Sequence, residues 1–206
     1  MRYLLISCLF LSLSSCALQM SKGWVASETN QEFVENSYFS DAKIDYVYKA
    51  KINVYNHKFG VILIIKKTGE QKYRVVFTTE FGNKLFDFLY HGETFAKNFI
   101  IDDLDKKLIV KTLQKDFKLL ISEKSKVQEK YDINNDEVFK TNTDNRSNFY
   151  FFNKKTHTLD KIVNTTKSKE KVEILFSEID DEIANNISII HQNINLQIEL
   201  EKFAKE

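Results

Sequence analysis

The sequence predicts a mainly β fold, α+β in class, in which one large antiparallel sheet carries at least one helix. Three observations lead to this prediction. From Ile44 onward, apolar and polar residues alternate with the period of two that marks a half-buried strand. The 206 residues include 17 Phe and 9 Tyr but no proline and only five glycines, which favours long strands over loops. Residues 100–121 instead space their apolar side chains at helical intervals.

The first strands form a meander. Residues 44–54 place their apolar side chains on one face, and a turn at Asn56-His57 leads into the apolar run FGVILIIK. The turn TGEQ at 68–71 leads into YRVVFTT, and a turn at Phe81-Gly82 leads into KLFDFLY. Short turns between such runs predict antiparallel neighbours.

A long amphipathic helix is predicted to follow the meander over residues 100–121. Asp102 or Asp103 is the expected N-cap, and Asp105 is expected in the first turn, where a carboxylate suits the helix dipole. A short helix is also expected near residues 28–36. Further strands are expected around 127–131, 147–153, 159–165 and 171–177, with a closing strand of alternating Ile and Leu at 194–200.

The N-terminus predicts a bacterial lipoprotein signal. Arg2 supplies a positive charge, and residues 3–13 form an apolar run shorter than the about 20 residues that span a bilayer. The segment ends with LSSC at residues 13–16, which is the lipobox order of an apolar residue, two small residues and a cysteine. Cleavage is therefore expected before Cys16, and the lipid anchor on its thiol. The alternative is a plain signal peptide, or a buried first helix, with a chance cysteine.

These features predict three parts: residues 1–15 as signal peptide, 16–43 as lipidated N-terminus and spacer, and 44–206 as the folded domain. Cys8 would leave with the signal, so the mature chain would have no disulfide. Ala17 stands where an inner-membrane retention signal carries Asp, so the expected location is the outer membrane, facing the periplasm.

Composition and motifs argue against several classes of protein. The 30 basic and 29 acidic residues are interspersed, so nucleic acid is not an expected partner. The four histidines are scattered, and the sequence has no HExxH, no phosphate-binding glycine loop and no nucleophile–base signature of a hydrolase. Residues 132–137 have the spacing of a calcium loop, but Glu137 replaces the turn glycine and Thr143 replaces the twelfth-position Glu. We therefore expect a polar turn at residues 132–137. For the whole protein we expect no bound metal, no cofactor and no enzymatic activity.

Residues 73–88, YRVVFTTEFGNKLFDF, resemble a hairpin of the LolB family of outer-membrane lipoprotein receptors. The shared features are Tyr-Arg, an apolar run, Thr with a polar residue, an apolar residue before Gly, and an alternating strand. The likeness extends in pattern over residues 44–202 and is motif-like over 59–90. It implies an incomplete antiparallel β-barrel, a curved half-barrel sheet with helices on its concave side enclosing an apolar cavity. The family often has Pro in this loop and around its lid helices, and this chain has none.

The resemblance also implies a function. A LolB-like protein is a monomer that accepts acylated lipoproteins from a periplasmic LolA-like carrier and inserts them into outer-membrane lipid. Phe81 corresponds to the apolar residue at the tip of the family's membrane-contacting loop. The expected acyl-chain cavity is lined by Phe77, Phe86, Phe88, Phe117, Leu196 and Ile198.

Each of these expectations has a simpler alternative. Taken one at a time, the six cavity side chains are better explained as ordinary core, since buried aromatic residues usually pack rather than bind. Taken together with the lipobox and the LolB-like hairpin, they favour lipid binding. Phe81 would then cap the end of the sheet. For the whole protein, the alternative is an accessory outer-membrane lipoprotein of the same fold that binds another lipid or a protein partner.

Overall fold

The structure is a computed structural model that describes residue 18 and residues 20–55, 57–143 and 145–203. The predicted signal peptide, residues 1–15, and the predicted anchor, Cys16, lie outside the described residues.

In the described residues the chain forms strands almost throughout, with one α-helix of more than three turns, so the mainly β prediction is confirmed. The strands are β1 (Ala26–Ser27), β2 (Phe33–Glu35), β3 (Asp45–Val54), β4 (His57–Gly69), β5 (Lys72–Thr78), β6 (Lys84–His91), β7 (Thr94–Ile100), β8 (Lys124–Ile133), β9 (Asp136–Thr143), β10 (Arg146–Asn153), β11 (Leu159–Thr165), β12 (Glu170–Asp180), β13 (Ile183–His191) and β14 (Leu196–Lys202). The helix α1 (Lys107–Leu120) connects β7 to β8.

The strands form one curved, open antiparallel sheet in the order β1-β8-β9-β10-β11-β12-β13-β14-β3-β4-β5-β6-β7. Strand β14 pairs with β3 and so joins the C-terminal strands to the N-terminal meander. Strand β2 adds to β8 off this path. Among the described residues no pairing joins β7 to β8, so the barrel stays incomplete, as predicted.

Helix α1 packs its apolar side against the enclosed face of the sheet. Leu113, Phe117 and Leu120 are buried, and the Phe117 ring lies 5.5 Å from that of Phe77 and 5.9 Å from that of Phe86. Burying one such side chain is worth about 1.5–3 kcal/mol, so this contact fixes the helix on the sheet.

The start of the helix was predicted wrongly. The helix begins at Lys107, with no acidic residue in its first turn and no side-chain cap. The N–H of Ile101 donates to the carbonyl oxygen of Leu85 at 2.9 Å, which extends the β6–β7 pairing beyond the end of β7. Asp105 is then held by Lys97 of β7, whose Nζ donates to both carboxylate oxygens at 2.6 Å. These contacts hold Ile101 and Asp105 outside the helix, so the helix begins later in the chain than predicted.

The segment expected to be a spacer, 16–43, joins the domain from Leu18 onward, and the helix expected near 28–36 is wrong. Strands β1 and β2 both pair with β8, which would otherwise be an open sheet edge. Tyr38 and Phe39 are buried, and the Tyr38 hydroxyl donates to the carbonyl oxygen of Leu159 at 2.7 Å.

A second hydrophobic cluster holds the first described residues against strands β8 to β11. Leu18 is buried there, and the Trp24 ring lies 5.4 Å from that of Tyr131 and 5.9 Å from that of Phe149. This cluster is separate from the main core, which includes α1. We call residue 18 and residues 20–25 the N-terminal strap.

Elsewhere the predicted strands are found. The four strands expected between 127 and 177 correspond to β8, β10, β11 and β12, and the closing strand corresponds to β14. Residues 132–137 contain the expected polar turn, which joins β8 to β9 and places Asn134 at a φ of 50°.

Candidate functional site

The six residues predicted to line a cavity come together in the main core. Phe77, Phe86 and Phe88 form a stack on β5 and β6, with centroid distances of 4.4 Å for each neighbouring pair. Their rings are closely packed, as are Phe117, Leu196 and Ile198 within the same cluster. Acyl-chain contact by these six side chains stays a prediction.

An apolar cleft lies between the N-terminal half of α1 and the sheet. Its walls include Ile52, Phe59, Leu85, Ile109 and, of the six predicted residues, Phe86 and Leu196. The cleft has a volume of about 40 Å³. Ligand sites for small molecules have volumes of about 300 to 1,000 Å³, so the cleft is closed to an acyl chain unless α1 moves.

The mouth of this cleft is marked by exposed apolar side chains. Leu108 on α1 is 59% exposed, and Tyr55, at the β3–β4 turn, is 58% exposed. Both border the cleft. An apolar rim around an apolar opening is typical of a surface that meets another apolar surface.

Phe81 lies beyond this rim, at the tip of the β5–β6 hairpin, and is 93% exposed. The last cross-strand pair before the tip joins Thr78 to Lys84, and the next residue, Leu85, lines the cleft. The tip therefore stands at the same end of the sheet as the cleft mouth. The Phe81 ring projects into solvent and does not cap the sheet.

The hairpin keeps its shape without the Phe81 ring. The N–H of Gly82 donates to the carbonyl oxygen of Thr79 at 2.9 Å, and the N–H of Thr79 donates to that of Asn83 at 2.9 Å. Gly82 has a φ of 82°, a conformation that glycine adopts without steric cost. Backbone bonds and one glycine thus define the turn.

A wider, polar cavity lies beside the C-terminal half of α1, where strand β7 faces strands β8 to β11. Its volume is about 570 Å³. The lining mixes aromatic side chains such as Tyr90 and Phe95 with polar ones such as Gln114, Asn148 and Arg146. This cavity was not predicted from the sequence.

A buried contact between a histidine and an aspartic acid lies at its wall. Nε2 of His191, on β13, is 3.0 Å from Oδ2 of Asp116, on α1, and the two side chains are only 5% and 4% exposed. The contact is poorly aligned for a hydrogen bond, and neither atom has another partner among the described residues. Nδ1 of His191 lies 3.2 Å from the carbonyl oxygen of Leu196, so Nδ1 must be the protonated donor there. Burial raises the pKa of the Asp116 carboxyl, and His191 partly offsets that rise.

A chain of polar side chains leads to Arg146. Its Nη1 donates to Oδ1 of Asn164 at 2.6 Å, and Nδ2 of Asn164 donates to Oδ1 of Asn148 at 2.6 Å. Nδ2 of Asn148 donates in turn to Oγ1 of Thr143 at 3.4 Å. We call these four side chains the Arg146 relay.

A sequence signal for the polar cavity did exist. Asp116 falls on the buried stripe of α1, three residues after Leu113 and four before Leu120. A carboxylate on the apolar stripe of a helix indicates a partner inside the fold, because an isolated buried charge is costly. Its partner, His191, is 75 positions away along the chain, and no local pattern connects them.

Two further observations concern the described part of the chain. No helix in these residues is long and apolar enough to cross a membrane. Within the same residues, no group of three or more His, Cys, Asp and Glu side chains is arranged to hold a metal ion.

Comparison with solved structures finds neighbours of similar outline. A LolA superfamily protein from Nitrosomonas europaea aligns with a TM-score of 0.49 and 6% identity, over 82% of this chain and 88% of that one. A domain of an outer membrane lipoprotein-sorting protein from Vibrio parahaemolyticus aligns with a TM-score of 0.41 and 10% identity, over 78% of this chain and 83% of that one.

Sequence comparison adds no relative. No protein-family model matches the chain, and no curated protein matches it. Because both TM-scores lie below 0.5, neither neighbour indicates what this chain binds, and its function has to be inferred from its own residues.

Proposed function

We propose that this protein is a LolB-like receptor of the outer membrane. It accepts acylated lipoproteins from a periplasmic LolA-like carrier and inserts them into outer-membrane lipid. The observation that supports this most directly is the position of the apolar cleft, which opens at the same end of the sheet as the exposed Phe81.

The acyl chain enters the cleft when the N-terminal half of α1 moves outward. That half begins at Lys107 without a side-chain cap and carries the exposed Leu108. The C-terminal half is held more firmly, because the Tyr90 hydroxyl donates to the carbonyl oxygen of Gln114 at 3.2 Å and Lys118 donates to that of Gly92. The helix therefore opens from its first turns, and burial of the acyl chain offsets the cost of separating it from the sheet.

Phe81 delivers the cargo by entering the membrane. Leaving a Phe exposed forgoes about 1.5–3 kcal/mol of burial, so a projecting Phe needs a partner surface to recover that energy. A lipid bilayer supplies one at the place where the cleft opens. Transfer needs no nucleotide if the acyl chain binds more tightly at each successive step, from the carrier to the receptor and from the receptor to the membrane.

An accessory outer-membrane lipoprotein that binds another lipid is the second candidate. The wide polar cavity favours it, since a site only for acyl chains needs few polar groups. Depletion separates the two candidates. Loss of the receptor should leave many lipoproteins at the inner membrane, whereas loss of an accessory protein should not.

Phe81→Glu tests the delivery step. We expect an unchanged melting temperature, normal uptake of an acylated lipoprotein from its carrier, and failure to release that cargo into liposomes. Val25→Glu is the matched control, because Val25 is also largely exposed but belongs to the N-terminal strap. Normal delivery by Phe81→Glu, or early melting of this variant, would refute the role given to Phe81.

Filling the cleft tests the binding step. Ile109→Trp places a larger side chain against the cleft wall and should abolish binding of a fluorescent fatty acid. Lys111→Trp, on the exposed side of the same helix, should bind the probe normally. Equal binding by the two variants would show that the acyl chain lies elsewhere.

A further inference from the structure

We propose that the polar cavity binds a phosphate-bearing head group, with Arg146 as its main cation, so that the ligand is a phosphorylated amphiphile. This goes beyond the receptor function, because a diacylglyceryl-cysteine anchor carries no phosphate. It rests on the proposed function only for the placement of the acyl tail in the apolar cleft.

The cavity has the size and the access that such a site needs. Its volume of about 570 Å³ lies within the range of about 300 to 1,000 Å³ common for ligand sites. It lies where the edge strand β7 faces β8, and β7 and β8 are not paired in the described residues. A ligand can therefore enter through the open side of the barrel.

The Arg146 relay is the strongest indication of a prepared site. Asn148 and Asn164 are buried, and a buried amide is costly unless its hydrogen bonds are made. Their bonds to each other, to Thr143 and to Arg146 meet that requirement and fix the guanidinium at the cavity wall. The bond to Asn164 uses one of five N–H donors of Arg146. A fixed guanidinium matches the geometry of phosphate oxygens.

The charges around the cavity favour an anion. Among the described residues, the lining contains five basic side chains and two acidic ones. Both acidic groups have partners: Glu93 lies 3.2 Å from Lys118, and Asp116 lies 3.0 Å from His191. Of the basic groups, Lys124 lies 2.8 Å from Glu35.

The remaining basic side chains are Lys115, Lys126 and Arg146. In the described part of the chain, none of them makes an ion pair with a carboxylate. The lining is therefore net positive, with Arg146 held in place and the two lysines exposed beside it.

Helix α1 joins the head-group site to the apolar cleft. Leu113 lines the cleft, and the next residue, Gln114, lines the polar cavity. One amphiphile can therefore place its tail under the first half of the helix and its phosphate beside the second half. Lysophosphatidic acid, which has one acyl chain and a phosphomonoester, is the simplest probe of this class.

The test compares four probes on the purified chain by titration calorimetry: lysophosphatidic acid, a monoacylglycerol with the same acyl chain, glycerol 3-phosphate and inorganic phosphate. We expect lysophosphatidic acid to bind most tightly and glycerol 3-phosphate to compete with it. Arg146→Gln should weaken both phosphate esters by about tenfold or more, as expected for loss of a charge-assisted contact, and leave monoacylglycerol binding unchanged. Lys58→Gln, an exposed basic residue outside the cavity, is the control.

Several outcomes would overturn the proposal. Equal affinities for lysophosphatidic acid and monoacylglycerol would exclude a phosphate subsite while leaving the acyl cleft intact. Inorganic phosphate binding as tightly as both esters would assign the cavity to free phosphate. If Arg146→Gln does not fold, the exposed double variant Lys115→Gln/Lys126→Gln replaces it, and unchanged ester affinity in that variant would equally refute the site.

Discussion

Oδ2 of Asp116 lies 3.0 Å from Nε2 of His191, so that the polar side chains of a helix residue and a strand residue meet inside the domain. The pair ties the C-terminal half of α1 to β13. Because Nδ1 of His191 donates to the carbonyl oxygen of Leu196, the contact with Asp116 is made by the other ring nitrogen. The helix is therefore fixed at one half by a polar contact and covers an apolar cleft with the other.

Removing the histidine should destabilise the protein strongly. His191→Phe leaves the Asp116 carboxyl buried without its partner, and a buried polar group left in this way costs about 1–3 kcal/mol. Urea denaturation followed by circular dichroism measures the free energy of unfolding. The double variant Asp116→Leu/His191→Phe removes both polar side chains and should recover much of the lost free energy of unfolding. If His191→Phe costs less than about 1 kcal/mol, the pair does not hold the helix.

The same pair predicts how stability depends on pH. Burial raises the pKa of Asp116 in the folded state, so the folded protein keeps this proton over a pH range in which the unfolded chain has lost it. The stability that this proton contributes is present below the carboxyl's ordinary pKa and is lost as the pH rises through the raised value. Asp116→Asn should remove that fall in stability.

The neighbouring charges define the control for this measurement. Arg74 and Lys84 hold the pKa of Asp87 below its usual value. Asp87 therefore contributes stability that is lost as the pH falls, which is the opposite pH dependence to that of Asp116. Subtracting the free energy of unfolding of Asp116→Asn from that of the wild type at each pH cancels the contribution of Asp87. His191 and Arg146 face Asp116 in both proteins, so only the carboxyl differs. A difference that is flat between pH 4 and neutrality would contradict the assignment.

Trp24 should hold the N-terminal strap to the domain. Its ring contacts Tyr131, Phe149 and Phe151, and Trp24→Ala should cost about 2–3 kcal/mol, less than for a fully buried Trp because the side chain is only partly covered. Lys22 is already exposed, and loss of the ring should free the chain around it enough for trypsin to cut there faster, which limited proteolysis followed by mass spectrometry would detect. Val25→Ala, at an exposed neighbour, should behave like the wild type. Equal cleavage rates in the two variants would mean that the ring does not secure the strap.

Cys16 tests the predicted lipid anchor. Cys16→Ala should leave an uncleaved precursor in cells, because lipidation of the thiol is expected to precede signal removal. Metabolic labelling with a fatty acid and the mass of the purified protein would show both effects. Ser15→Ala keeps a small residue before the cysteine and should be processed normally. A Cys16→Ala protein that is still cut at the same site and still anchored after alkaline washing would exclude the lipoprotein assignment.

The local patterns of the sequence predicted nine of the fourteen strands in the described residues and missed β1, β2, β7, β9 and β13. Tyr46, Tyr48 and Ala50 alternate with lysines and are buried as the period of two requires. The turn at Phe81-Gly82 was also found where it was predicted, because turn chemistry depends on a few adjacent residues and on a glycine that can take a positive φ.

The start of α1 and the place of the N-terminal strap depended on distant partners. The sequence marks Asp102 or Asp103 as the N-cap and Asp105 as a first-turn residue. In the structure, Ile101 pairs with Leu85 and Asp105 binds Lys97. Trp24 shows no local reason to be ordered until Tyr131 and Phe149 are beside it.

The sequence by itself thus determined the β class and the hairpin with Phe81 at its tip, since periodicity and turn geometry act within a few residues of each other. Only the tertiary structure decided that Phe81 projects into solvent and does not cap the sheet. Tertiary structure alone decided that the apolar interior closes to a narrow cleft and that a polar cavity lies beside it. Asp116 and His191, or Arg146 and Asn164, meet only after the sheet has curved and the helix has packed upon it. Contacts between residues far apart in the chain set the free volume and the charge of a protein interior. The periodic patterns of the sequence do not indicate which distant residues make these contacts.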